Sequence, residues 1–163
     1  YIEAQGLRTD LKEDKKGAAF QFYGMEEQVK PEGQDCTQVD IDFGAQSSSF
    51  TYDAEKQVYL KNINGSAQVD GKTGEQLAFT NVFVLETEIS VRDEVGHKKL
   101  DWDGASDAKG YYVSNGGVQE ITWSKARDSA PMTYLTPDGQ PARLGVGPSY
   151  VNIVSNSAQV AVE

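Results

Sequence analysis

Phe79-Thr-Asn-Val-Phe-Val-Leu-Glu-Thr-Glu-Ile-Ser-Val91, continuing through Arg92-Asp-Glu-Val95, is the stretch that decides the fold class. Phe79, Phe83, Leu85, Ile89 and Val91 fall on one side of an extended chain, and Val82 and Val84 make the other side apolar as well. A strand with two apolar faces is covered on both, so the segment predicts a central strand between layers. Glu86 and Glu88 then return the even face to water and mark where the covering ends. The run is about three times the usual strand of ~5–6 residues, which predicts a bulge or bend inside it.

Period two also governs the rest of the chain. Over residues 37–43, Thr37, Val39, Ile41 and Phe43 share one face while Gln38, Asp40 and Asp42 share a wet one. Residues 50–52 and 58–60 flank the turn 53–56 and predict a hairpin with Phe50, Tyr52, Val58 and Leu60 in phase. Residues 66–69 lead into the turn Asp70-Gly-Lys-Thr-Gly74. Residues 111–113 and 118–125 flank Asn115-Gly116, the pair favoured in type I′ hairpin turns because both positions need positive φ. Residues 132–136 and 142–146 flank Pro137-Asp138-Gly139-Gln140, and residues 150–154 read as a closing strand. About nine to ten short strands without a long helical pattern predict an all-β fold, an antiparallel sandwich or partly open barrel. Residues 1–6 read as a short helical tail stopped at Gly6, and 1–17 as the tail of a preceding domain plus a linker. Residues 18–163 are then a single β domain.

At 163 residues, 38% hydrophobic and 10% aromatic, the chain can bury a core without disulfides. Its net charge of −10 opposes binding to nucleic acid or to an anionic lipid surface, and no basic run overrides it. The sole cysteine, Cys36, and the sole histidine, His97, both lie beside turn-like stretches, and a surface position is expected for each. One thiol cannot close an internal disulfide, so cysteine usage leaves the compartment open. No stretch approaches the ~20 apolar residues of a membrane helix. The chain opens at Tyr1 without a signal-like segment, as expected of a processed or truncated product.

The turns and strands come in a recognisable order: Phe50-Thr-Tyr-Asp53, Tyr59-Leu-Lys61, Asn64-Gly65, Asp70, Thr73-Gly-Glu-Gln-Leu77, Asn81-Val-Phe-Val84, Gly110-Tyr-Tyr112, Asn115-Gly116, Thr122-Trp-Ser-Lys125 and Asp138-Gly139. Over about residues 18–155 this ordered set resembles the C-terminal domain of the YerB-like family of bacterial lipoproteins, a family of unknown function. The resemblance implies an extracytoplasmic, membrane-anchored lipoprotein whose lipid anchor and N-terminal domain lie outside this chain. Its partners would be that preceding domain and an envelope protein or glycan. The family pattern favours Arg at the position of Lys61 and a His shortly before Asp70; here Ser66, Ala67, Gln68 and Val69 fill that approach.

Candidate sites carry a functional and a structural reading side by side. Asp101-Trp-Asp-Gly104-Ala-Ser-Asp107 places carboxylates at 101, 103 and 107 around a glycine, like the start of a calcium loop. The glycine falls at the fourth position instead of the sixth, and Tyr112 stands where the closing Glu belongs, so a plain turn competes with it. Asn81 shares the dry face of Phe83 and Leu85, where an amide must be hydrogen-bonded. Either it pins a turn such as 70–74, or Tyr59, Lys61, Asp70 and Asn81 line one polar cleft. Trp123 has the parity of Ile121 and is expected in the core, whereas Trp102 is the better candidate for an exposed stacking surface. No nucleophile–base set and no cofactor motif is present. The expectation is a non-enzymatic binding or scaffold module. The alternative is a cell-wall-active enzyme whose site is shared with an N-terminal domain.

Overall fold

The computed structural model describes residues 20–25, 27, 29–127 and 129–163. The helical tail expected over residues 1–6, and the 1–17 segment as a whole, lie outside the described residues. Those described form fifteen strands and no helix: β1 Gln21–Phe22, β2 Gln34–Asp35, β3 Gln38–Asp42, β4 Ser47–Asp53, β5 Val58–Ile63, β6 Ser66–Ala67, β7 Ala78–Phe79, β8 Asn81–Val91, β9 Lys98–Asp101, β10 Ala105–Ser114, β11 Gly117–Lys125, β12 Thr133–Leu135, β13 Arg143–Leu144, β14 Ser149–Ser155 and β15 Gln159–Val162.

β8 sits where its two apolar faces require. It lies inside a seven-stranded sheet of order β12-β11-β10-β8-β14, with β2 beside β11 and β9 beside β8. On one face Val82 and Val84, with Val113, Val118 and Val154, meet Val39, Ile41, Phe50 and Tyr59 of a second sheet. That sheet has the order β15-β3-β4-β5-β6, with β7 beside β5. On the other face Phe83 and Leu85 pack with Tyr112, Ile121 and Trp123 beneath Tyr134, Ala142 and Leu144. Covering fades from Glu86 onward, and Glu88, Ser90 and Val91 are exposed.

No sheet closes into a barrel. The two large sheets share one core, and the ladders are not all antiparallel: β14 runs parallel to β8, and β1 parallel to β13. The bend expected in the long apolar run falls at Thr80. Before it, β7 pairs with β5 in the second sheet; after it, β8 belongs to the first. The N–H groups of Thr80 and Asn81 both donate to the Pro148 carbonyl, at 2.9 and 3.1 Å. Gly147 makes this corner possible, because a Cβ there would lie 2.0 Å from Thr80 Oγ1.

Asn115 and Gly116 adopt φ of +45° and +73°, the two positive values a type I′ turn needs between β10 and β11. The β4–β5 hairpin departs from expectation. Phe50 pairs with Lys61 and Tyr52 with Tyr59, so Tyr59 and Lys61 point inward, while Val58 and Leu60 are only half-buried. Asp53 pairs with Val58 across a loop of four residues, 54–57, whereas the in-phase set needs an odd number, and a one-residue shift exchanges the two faces of a strand. Cys36 also departs from expectation. It is fully buried in the inter-sheet core because its N–H is held by the Gly116 carbonyl at 2.9 Å.

Candidate functional site

Lys61 enters the inter-sheet core on β5 and is 1% exposed. Its Nζ donates to Gln68 Oε1 at 2.6 Å and to Ser48 Oγ at 3.4 Å. It also lies 5.0 Å from the Tyr150 ring centroid and 5.5 Å from that of Phe50. No carboxylate pairs with it among the described residues, and burial holds its amine below the usual lysine range. Tyr59, two residues earlier, gives its hydroxyl to the Cys36 carbonyl at 2.7 Å. Burial pushes the Tyr59 phenol above the usual tyrosine range and raises the Cys36 thiol as well.

Asn81 is fully buried, on the opposite face of the first sheet. Its Nδ2 donates to the Gly145 carbonyl at 2.9 Å and to Ser149 Oγ at 3.1 Å. Its Oδ1 accepts from the Tyr112 hydroxyl at 2.8 Å and from the Gly145 N–H at 3.1 Å. The amide is therefore saturated, and the loop it pins is 145–149, not 70–74. Asp70 stands apart on the surface, where its Oδ1 accepts the Lys72 and Thr73 N–H groups, each at 2.8 Å. Those bonds hold its carboxyl below the usual range. Tyr59 and Lys61 thus share an environment, whereas Asn81 is separated from them by the first sheet and Asp70 lies on an exposed turn. The four do not line one cleft.

The acidic loop is also dispersed. Asp101 ends β9, where its carbonyl accepts the Thr87 hydroxyl at 2.6 Å. Asp103 lies 3.4 Å from Lys125 Nζ, and Asp107 sits at a positive φ of 52° with its N–H on Ser124 Oγ. No group of three or more His, Cys, Asp or Glu among the described residues could hold a metal ion. Trp102 is half-buried, with the Lys125 ammonium 5.8 Å from its ring centroid, and Trp123 is in the core as expected. His97 is exposed, and its Nδ1 meets Asp93 Oδ2 at 2.7 Å across a surface turn.

One concavity among the described residues is not singled out by the strand patterns. A groove of about 860 Å³ opens on the outer face of the second sheet, where Asp40, Asp42, Ser47, Ser49, Asn64 and Gln159 meet. The wet parity of Gln38, Asp40 and Asp42 on β3 was legible. What makes a groove of it is the return of β15 beside β3, which sequence does not indicate. Hydrogen bonds order this face: Gln38 Nε2 donates to Asp40 Oδ1 at 2.9 Å, and the Ser47 N–H to Asn64 Oδ1 at 2.9 Å. The lining offers hydroxyls, amides and two carboxylates, and no Lys or Arg.

Residues 39–151 match the family described as "Protein of unknown function (DUF3048) C-terminal domain". The chain belongs to this family. The chain is also similar to the Bacillus subtilis (strain 168) protein named "Putative lipoprotein YerB", 23% identical over 154 residues, which are 86% of this chain and 45% of that protein. The crystal structure of YerB from Bacillus subtilis superposes with a TM-score of 0.68 at 22% identity, covering 82% of this chain and 46% of that one. This likeness shows a shared fold. The chain spans about half the length of the relatives it matches.

Proposed function

We propose that this member of the family is a non-enzymatic binding or scaffold module of an extracytoplasmic lipoprotein, and that the outer face of its second sheet is the contact surface. The observation that carries the reading is the distribution of polar groups. Among the described residues every buried side-chain nitrogen and oxygen has a hydrogen-bond partner, and Asn81 is saturated, while the β3–β4–β15 groove keeps hydroxyls, amides and carboxylates at the surface. A cation-free lining of this kind suits hydrogen bonding to a neutral, hydroxyl-rich glycan of the envelope better than it suits a phosphate-bearing ligand. The rest of the protein would supply the lipid anchor and a neighbouring domain.

The test is a backbone-amide NMR titration with soluble peptidoglycan fragments. Shifts confined to residues 40–49 and 159–161, reduced by Asp40→Ala with Asp42→Ala, are expected, and the fragments should be recovered intact. Cleavage of the fragments, lost in Asp70→Ala with the fold preserved, would instead establish an enzyme.

A further inference from the structure

β14 is the longest strand at the end of either large sheet, and it is poorly guarded. The other sheet ends are short: β12 has three residues between Pro131 and Pro137, β6 has two and β15 has four. β14 has seven, Ser149-Tyr-Val-Asn-Ile-Val-Ser155, without a proline, a charge or a register break against β8. Edge strands are normally protected by lysine, proline, bulges or brevity, because their open N–H and C=O groups template further pairing.

The direction of those groups follows from one bond. Ser149 lies opposite Asn81 in a parallel ladder, and the Asn81 N–H donates to the Pro148 carbonyl at 3.1 Å. In such a ladder alternate residues face opposite edges. Residues 148, 150, 152 and 154 therefore turn their backbone towards β8, and 149, 151, 153 and 155 turn theirs outward. The Ser155 carbonyl is taken by the Ala158 N–H at 2.8 Å. The outward N–H and C=O groups of Ser149, Val151 and Ile153 meet no partner among the described residues. Val151 is 41% exposed beside them.

We propose that this edge pairs with the same edge of a second copy of the chain, antiparallel and about a two-fold axis at Val151. In that register Val151 faces Val151 of the other copy, and Ser149 faces Ile153 in both directions, so the free groups match one another. Such a contact is self-complementary, as a two-fold interface must be. Charge favours this partner. Each copy carries −10, yet residues 144–162 contain no charged side chain, so the edges meet without local repulsion. The repulsion that remains is long-range and screened by salt.

The contact is small, so the dimer belongs to the weak class, with a micromolar dissociation constant. Sedimentation of the 163-residue chain over a concentration series tests it. Expected are a monomer–dimer equilibrium that tightens with added NaCl and concentration-dependent exchange protection at the amides of Ser149, Val151 and Ile153. Val151→Lys should weaken dimerisation about tenfold or more. Val151→Pro removes only an outward N–H and leaves the β8 ladder intact, so it should abolish the dimer while the monomer stays folded. A chain that stays monomeric throughout, or a dimer unaffected by Val151→Lys and without protection at these amides, overturns the proposal.

Discussion

Asn81 Nδ2 and the Gly145 carbonyl, 64 residues apart in sequence, are joined at 2.9 Å, and the Gly145 N–H returns to Asn81 Oδ1 at 3.1 Å. One amide thereby holds the loop before β14 as a neighbouring strand would. It fixes where β14 enters beside β8, and the Tyr112 hydroxyl braces it from β10.

Replacing Asn81 with Ala should therefore destabilise the chain far more than replacing Asp70. Asn81→Ala takes the acceptor from the buried Tyr112 hydroxyl and the side-chain donor from the Gly145 carbonyl, and leaves the Gly145 N–H only its 3.2 Å bond to the Tyr112 oxygen, a loss of about 2–4 kcal/mol. Asp70→Ala removes turn bonds that water can replace, and its cost should stay below about 1 kcal/mol. Urea unfolding followed by tryptophan fluorescence measures both, and equal effects would contradict the assignment of Asn81 as the pin.

Gly147→Ala and Gly44→Ala compare a glycine needed for its conformation alone with one needed for conformation and space together, since both have positive φ, +84° at Gly44 and +154° at Gly147. A Cβ at 147 meets Thr80 Oγ1 at 2.0 Å and Thr80 Cβ at 2.8 Å, whereas one at 44, with φ of +84°, meets nothing within 4 Å. Gly44→Ala should cost about 1–2 kcal/mol, the usual penalty for a left-handed alanine. Gly147→Ala should cost more and lower the melting temperature further, because the corner at Thr80 must open.

How much of this was legible in the sequence depended on how locally each feature is determined. The two apolar faces of β8, the Asn115-Gly116 turn and the burial of Trp123 follow from parity and turn chemistry within a few residues. Cys36 and Lys61 do not. Cys36 is buried because Gly116, distant in sequence, binds its N–H, and Lys61 because one residue in the β4–β5 turn exchanges the faces of β5. A lysine read by type alone belongs at the surface. The Asp40–Asp42 surface was visible as a wet strand face, but its concavity needs β15, whose neighbour no pattern names.

Calcium should leave the chain unchanged. A site filled at 100 times its dissociation constant would add ~2.7 kcal/mol of stability. Asp103 instead faces Lys125 and Asp107 lies on a bulged segment of β10, so millimolar CaCl2 or EDTA should not move the melting temperature. A shift abolished by Asp101→Asn would show that the loop closes on a cation.

Lys61 offers a case in which removing a charge should do no harm. Methionine keeps the stem between the Phe50 and Tyr150 rings and lets half-buried Gln68 turn to water, so Lys61→Met should lie within about 1 kcal/mol of the native chain. Lys61→Ala, which also empties the space, should lose about 2–5 kcal/mol. The native amine has a pKa below its unfolded value, so the unfolded chain binds more protons between the two values. Stability from this group then rises as pH climbs towards the unfolded lysine value of ~10.4. The difference between native and Lys61→Met unfolding free energies should grow across that window in favour of the native chain.

Cys36 and the buried tyrosines act in the opposite sense at alkaline pH. Burial raises the Cys36 thiol above its ordinary value of 9.0, and raises Tyr59, Tyr112 and Tyr134 above 10.0. For a group whose folded pKa is raised, the contribution is fully present below the unfolded pKa. It declines once the unfolded chain can release a proton that the native state retains. Losses should therefore begin near the unfolded thiol value, about pH 8.5–9, and steepen as the phenols of the unfolded chain ionise. Cys36→Ala should delay the onset to about pH 10, where only the tyrosines contribute, even though the smaller side chain lowers stability at neutral pH. Unfolding free energies measured from pH 7 to 11 give both onsets, and an unchanged onset in Cys36→Ala would mean that the thiol titrates in the folded chain as it does in the unfolded one.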